Sequence, residues 1–163
     1  MYTVQLHYTE PLVRRAILAF WCRNTGWMFF LVYVFLVGGV GVALYAGERS
    51  WWVGVVGATL GIVGLLAAAS YFIHLRGSLA RYRRMKDPTA ILEFDEQKFR
   101  VASDVGVSEM NWSVITDIWC YPEFWLVFYS RSQFMTLPMA GFDERNREFF
   151  LAQVSSAKVI RLN

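Results

Sequence analysis

The stretch that decides the fold is Trp27-Met28-Phe29-Phe30-Leu31-Val32-Tyr33-Val34-Phe35-Leu36-Val37, part of a run without charged side chains from Asn24 to Gly47. At 1.5 Å per residue, a helix of this length can cross a hydrocarbon core of ~30 Å. A second uncharged run, Ser50 to Leu75, follows the polar pair Glu48-Arg49. Buried helices of a soluble protein are the alternative, but they seldom run this long without charge. The sequence therefore predicts a two-helix transmembrane hairpin, with spans at residues 26–46 and 51–75 joined by a turn at residues 47–50.

Basic residues flank only the outer ends of this hairpin. The turn holds one basic residue, Arg49, offset by Glu48. Cytoplasmic flanks carry the excess of Lys and Arg, so we expect a multi-pass membrane protein with both termini in the cytoplasm. The basic linker at residues 76–87 is first a topology signal and secondly a candidate site for anionic headgroups. The flanking residues are Arg14, Arg15 and Arg23 before the spans, and Arg76, Arg81, Arg83, Arg84 and Lys86 after them.

Glycines are spaced along one face of the second span, at Gly54, Gly57, Gly61 and Gly64. Small residues let helix backbones approach closely inside a lipid environment. Two interpretations stay open: the two spans pack on each other, or the second span forms a homo-oligomer. Ion and proton pathways usually need ionisable groups inside the spans. No Asp, Glu, Lys or Arg lies inside either span, so a transporter or channel is disfavoured.

The remaining residues, 88–163, show a β-rich pattern that changes to a helical one. Phe124–Tyr129 is apolar throughout, as expected for a central strand covered on both faces. Asp143 is a suitable N-cap for a last helix whose apolar stripe is Phe150, Val154 and Ala157. We expect a small antiparallel β-barrel or sandwich capped by a C-terminal helix. The six predicted strands are residues 90–94, 98–103, 107–112, 114–121, 124–129 and 133–137.

A seventh strand is predicted at the other end of the chain. Tyr2, Val4, Leu6 and Tyr8 alternate with polar residues, and a lone strand cannot satisfy its backbone groups. Because the hairpin returns the chain to the same side of the membrane, we expect residues 1–9 to join the C-terminal sheet. Residues 10–25 then form an amphipathic helix at the membrane surface.

Charge and composition exclude several classes of function. Residues 1–87 carry a net charge of +6 and residues 88–163 a net charge of −3, so the β-domain lacks the basic face that nucleic acid requires. His7 and His74 have no neighbouring carboxylate or cysteine in the sequence, and no phosphate loop or catalytic triad spacing is present. The sequence thus predicts no metal, no cofactor and no enzymatic activity.

Aromatic residues suggest one candidate partner surface. If Ile118 and Cys120 face one way, Trp119 and Tyr121 face the other, close to Trp125 on the next strand. These three aromatics either pack within the chain or contact a protein partner. Both interpretations stay open from the sequence alone.

Short motifs in this domain resemble those of a known family. Gly106-Val107-Ser108-Glu109-Met110-Asn111-Trp112-Ser113-Val114-Ile115 resembles the G-x-S-x-x-x-W-x-x-I stretch of YcxB-like proteins. Phe124-Trp125-Leu126-Val127-Phe128, Leu137-Pro138 and Phe142 are similar to its apolar strand, its aliphatic-Pro strand end and its Phe before the last helix. The resemblance implies a bacterial pleckstrin-homology-like (PH-like) domain and provides no catalytic residues to transfer.

Two functions follow as expectations. The first is a membrane-anchored, non-enzymatic protein whose cytoplasmic PH-like domain binds a protein, a peptide or lipid headgroups. The alternative is a bacterial immunity protein that protects against a membrane-acting or secreted toxin. A small enzyme or transporter would need residues that this sequence does not place together.

Overall fold

One strand and three helices precede a β-rich half in the computed structural model, which describes residues 1–131, 133–154 and 157–162. The chain divides into two compact units. The β-unit holds Met1–Ala16 and the residues from Ser78 onward, and the helical unit holds Ile17–Gly77. The elements are β1 (Tyr2–His7), α1 (Glu10–Thr25), α2 (Trp27–Tyr45), α3 (Trp51–Arg84), β2 (Thr89–Phe94), β3 (Lys98–Ser103), β4 (Gly106–Asn111), β5 (Asp117–Cys120), β6 (Phe124–Phe128), β7 (Phe134–Pro138), α4 (Glu144–Gln153) and β8 (Lys158–Arg161).

Two helices, α2 and α3, are long and apolar enough to cross a membrane, with mean hydropathies of 2.3 and 2.0 in their most apolar windows. The large side chains of α2 point outward: Phe35 is 79% exposed. α3 extends nine residues beyond the predicted end of the second span, so most of the expected basic linker is helical. The reason is local, because no proline interrupts the segment before Pro88.

The β-unit is built from two four-stranded sheets. The first sheet has the order β1-β2-β3-β4 and is antiparallel throughout. The second has the order β7-β6-β5-β8, in which β8 runs parallel to β5 and the other pairs are antiparallel. The barrel is therefore not closed, and β1, β4, β7 and β8 are edge strands.

β1 pairs with β2, although three helices separate them in the chain. The register places Tyr2 opposite Phe94 and His7 opposite Thr89. Val4 and Leu6 point into the core, while the alternate side chains face outward. At Gly141 an added Cβ would clash with the carbonyl oxygen of Gln5, so the turn after β7 packs directly on the β1 backbone.

Aromatic rings fill the space between the two sheets. Phe150 of α4 is fully buried and meets Trp112 edge to face, with ring centroids 5.0 Å apart. Trp112 also packs against Phe99, at 5.1 Å. Its indole Nε1–H donates to the carbonyl oxygen of Asp95 at 3.0 Å, which satisfies the one polar group that this ring buries.

Three predicted elements differ from the structure. The predicted strands 107–112 and 114–121 are interrupted by a 3-10 turn at Trp112–Val114, where Trp112 turns into the core. α4 ends at Gln153, so Val154 and Ala157 are not part of a helical stripe. A strand, β8, follows instead, because Lys158–Arg161 gains backbone hydrogen bonds along β5. Pairing with a distant strand is not visible in four residues of sequence.

Candidate functional site

The open edge of the first sheet, β4, is exposed at every residue except the half-buried Met110. Ser103 and Gly106 face each other across the two-residue turn Asp104-Val105. Residues that flank such a turn form a hydrogen-bonded pair, and bonding then alternates along the strands. It follows that the backbone N–H and C=O groups that point away from the sheet belong to Val107, Glu109 and Asn111.

A groove of about 410 Å³ runs beside this edge. Four of its lining residues are half-buried against the core: Val101 and Met110 of the first sheet, Met135 of the second, and Tyr129, which directly follows β6. None of its lining residues is charged. They are Val101, Ser103, Val105, Gly106, Val107, Ser108, Met110, Tyr129 and Met135.

A second groove of about 260 Å³ adjoins the first, since both are lined by Val101, Ser103 and Val105. We call the two together the open-side groove. Among the described residues that line it, Arg81 alone is charged. The second part is lined in addition by Tyr8, Val13, Ser78, Arg81, Tyr82, Met85, Ala90 and Thr136.

Two phenol groups of the groove, those of Tyr8 and Tyr129, remain neutral. The hydroxyl of Tyr8 donates to the carbonyl oxygen of Thr136 at 3.0 Å, and burial raises the pKa of Tyr8 to about 12. Burial also raises the pKa of Tyr129, and the nearby Tyr8 adds to that shift. At physiological pH the groove therefore presents an apolar track with hydroxyl groups and one cation, Arg81.

The predicted basic residues do not act as one cluster. Arg83 lies 3.8 Å from Glu10, whose carboxylate also binds Arg14 at 2.6 Å. The hydrogen bond from Arg14 is the main cause that lowers the pKa of Glu10. Arg81 has no acidic partner within 4.0 Å among the described residues.

The other predicted basic positions lie apart from the groove. Arg84 and Lys86 are exposed and line neither part of it. The backbone N–H of Lys86 donates to the Asp104 carboxylate at 2.5 Å, which ties the end of α3 to the β3–β4 turn. Arg76 belongs to the helical unit.

The three residues of the predicted aromatic partner surface differ in their exposure. Trp125 is 7% exposed and packs against Phe142 in the core, so its assignment to a surface was wrong. The reason is that β6 is covered on both faces, which leaves neither face to a partner. Trp119 and Tyr121 are half-buried: the ring of Trp119 is tilted against Phe128, and that of Tyr121 stacks on Phe124.

The four glycines on one face of α3 have two kinds of surroundings in the helical unit. An ideal Cβ at Gly57 would lie 3.7 Å from Val40 of α2, and one at Gly64 would clash with the hydroxyl of Tyr33. That hydroxyl donates to the carbonyl oxygen of Leu60 at 3.0 Å. Gly54 and Gly61 have no described atom within 4 Å of such a Cβ. Two of the four glycines thus serve packing within the chain.

Metal-binding geometry does not occur among the residues that the structure describes, since no three His, Cys, Asp or Glu side chains group together. His7 is exposed on β1. His74 meets the ring of Phe20 edge-on, with centroids 5.9 Å apart.

Comparison with known families gives one match. Residues 94–154 match the family described as YcxB-like protein. This segment of the chain is YcxB-like. The match confirms the resemblance noted at Gly106–Ile115 and Phe124–Phe142, because both stretches lie within it. No curated protein and no solved structure matches the chain.

The YcxB-like segment contains β3 to β7 and α4, but not β1 or β8. It provides the β4 side of the groove, with Tyr129 and Met135, whereas Arg81 and Tyr8 lie outside it. Sequence reasoning did not find this groove. The available signal was the pair of apolar residues Val105 and Val107 beside an edge strand, 55% and 59% exposed in the structure.

Proposed function

We propose that this chain is a membrane-anchored, non-enzymatic protein of the bacterial inner membrane that presents a cytoplasmic PH-like binding domain. The observation that carries the proposal is the pairing of β1 with β2. β1 precedes the two apolar helices and β2 follows them, so both ends of the hairpin must lie on one side of a bilayer. Two crossings satisfy that condition, and one crossing does not.

The surface of the apolar helices supports insertion. Trp27 and Leu65 are each 70% exposed, and Phe35 is 79% exposed. Large contiguous apolar surfaces are rare on soluble monomers and mark contact with a membrane or a partner. Basic residues on the outer flanks favour the cytoplasm for both termini.

The β-unit supports a binding role. Two sheets capped by a helix that inserts Phe150 between them are compatible with a PH-like domain. The fold alone does not assign a ligand, but the open-side groove and the free β4 edge provide a surface on which one can bind. Among the described residues no polar or charged side chain is buried. No buried group of catalytic side chains therefore supports an enzymatic function.

Topology mapping tests the proposal on the full chain. In a background with Cys22 and Cys120 replaced, Arg49→Cys should react with an impermeant maleimide from the periplasmic side. Glu96→Cys, at the exposed β2–β3 turn, is the matched control and should react only after lysis. The chain should also stay in the membrane during carbonate extraction. Labelling of Glu96→Cys in intact cells, or release by carbonate, would contradict the proposal.

An immunity protein would need the same membrane anchor and domain. No feature of the described residues favours this role over general binding. Deletion of the gene tests it, since an immunity protein leaves its host sensitive to a toxin from kin cells.

A further inference from the structure

We propose that the open-side groove holds one acyl chain of an anionic phospholipid from the surrounding bilayer, with the lipid phosphate at Arg81. The inference deepens the proposed function, because it rests on membrane anchorage and names a ligand for the domain. The two adjoining parts of the groove, about 260 and 410 Å³, are each of a size that can accommodate part of a small ligand.

The lining residues favour the binding of an amphiphile that carries one negative group. Val101, Val105 and Met110 form an uncharged apolar wall along the sheet. The phenols of Tyr8 and Tyr129 keep their protons, since burial raises both pKa values. No acidic residue lines either part, so nothing in the described lining repels an anion that pairs with Arg81.

The position of Arg81 in the chain favours a bilayer lipid as the source. Arg81 follows Leu75, the last residue of the uncharged run, by six residues of the same helix. Six residues of α-helix are about 9 Å long. Headgroups occupy a layer of roughly 5–8 Å on each side of the hydrocarbon core, so Arg81 would lie close to lipid phosphates when α3 is inserted.

Other occupants fit less of the groove. A peptide that adds a strand to β4 would bond to Val107 and Glu109, but it would leave the part beside Arg81 and Tyr82 empty. The β4 edge of a second copy reaches the same half only. An acyl chain can follow both parts, because it needs apolar contact and no backbone hydrogen bonds.

Native mass spectrometry of the full chain in a neutral detergent tests the proposal. The probes are palmitoyl-oleoyl phosphatidylglycerol and the phosphatidylcholine with the same chains. We expect the phosphatidylglycerol to bind roughly fivefold more tightly, the ratio for one basic residue near an anionic lipid. Arg81→Gln should remove this preference, while Arg84→Gln, on the same helix outside the groove, should keep it.

A second pair of variants tests the apolar track. Val105→Trp, at an exposed turn position, should fill the groove and weaken binding of both lipids. Val159→Trp, on the exposed strand β8, is the control and should bind as the native chain does. Circular dichroism establishes that each variant is folded before binding is compared.

Four results would overturn the proposal. Equal binding of the two lipids to the native chain would remove the role of Arg81. Displacement of the phosphatidylglycerol by equimolar palmitate would make a free fatty acid the ligand. Loss of self-association in Val105→Trp with lipid binding unchanged would assign the groove to a second copy. Tight binding of an alternating Val-Thr hexapeptide, abolished by Val105→Trp, would assign it to a peptide.

Carbonate extraction of the same variants keeps this proposal separate from anchorage. Arg81→Gln should stay in the membrane, because it changes the groove and not the spans. A native chain that carbonate releases but that binds phosphatidylglycerol in detergent would refute anchorage and leave the lipid site standing.

Discussion

The ring of Phe150 meets the indole of Trp112 edge to face, with centroids 5.0 Å apart, and so joins α4 to the turn between β4 and β5. Both residues lie in the YcxB-like segment. Phe94 and Phe99 complete the aromatic cluster around this pair. The contact therefore ties α4 into the aromatic core of the β-unit.

Removal of the Phe150 ring should destabilise the folded protein. We expect Phe150→Ala to lower the free energy of unfolding by about 3–5 kcal/mol, because it removes a buried aromatic and leaves a cavity. Urea unfolding of the full chain in mild detergent measures the change. Val159→Ala, at an exposed position, should stay within about 0.5 kcal/mol. A cost below about 1 kcal/mol for Phe150→Ala would show that α4 does not support the core.

The close approach of Gly141 to β1 gives a second expectation. Gly141→Ala should push the added methyl group against the Gln5 carbonyl oxygen and destabilise the β-unit by about 1–3 kcal/mol. Hydrogen exchange of residues 2–7 should speed up in this variant. Gly38→Ala, whose Cβ meets no described atom within 4 Å, is the control. Unchanged protection of β1 in Gly141→Ala would refute the packing.

Paired glycine substitutions distinguish the two interpretations of the α3 face. In Gly64→Ala the added methyl group should clash with Tyr33. The clash should lower the free energy of unfolding in detergent by about 1–3 kcal/mol. Gly61→Ala should leave this packing intact, because its Cβ would face open space. Cross-linking yields in membranes provide the second measurement. Loss of a cross-linked dimer in Gly61→Ala alone would assign that half of the face to a homo-oligomer.

The ion pairs of Glu10 give a pH dependence. Contacts with Arg14, and to a smaller extent Arg83, lower the pKa of Glu10 below the ordinary range of a glutamate. A carboxyl whose folded pKa is depressed stabilises the fold above its unfolded pKa, and this stabilisation disappears as the pH falls through the folded value. The native chain should therefore melt higher than Glu10→Gln at neutral pH, and the difference should vanish in acid. A difference in melting temperature that grows in acid would contradict the stabilising role of these ion pairs.

Local patterns predicted the parts of the fold that depend on periodicity. The alternation of residues 2–8 and the continuous apolar run of β6 correspond to β1 and to a strand buried on both faces. Asp143 caps α4 as its sequence position suggests, since its carboxylate accepts from the backbone N–H of Asn146 at 2.6 Å. These features depend on neighbours within a few residues.

Features that depend on distant partners were not predictable. β8 exists because β5 offers a free edge with which it can pair. The groove likewise forms where strands, a helix end and a turn meet, from residues as far apart as Tyr8 and Thr136. Arg81 appeared in the sequence only as one of several flanking cations, and its distinct place follows from the fold.

The pairing of β1 with β2 also sets an order of events during synthesis. Residues 2–7 are made before the apolar hairpin, and their partner, residues 89–94, is made only after it. At roughly 5–20 residues per second the first strand waits about 4–16 s for its partner. A chain that stalls before Thr89 keeps an unpaired strand, so completion of the first sheet reports that translation has passed both helices.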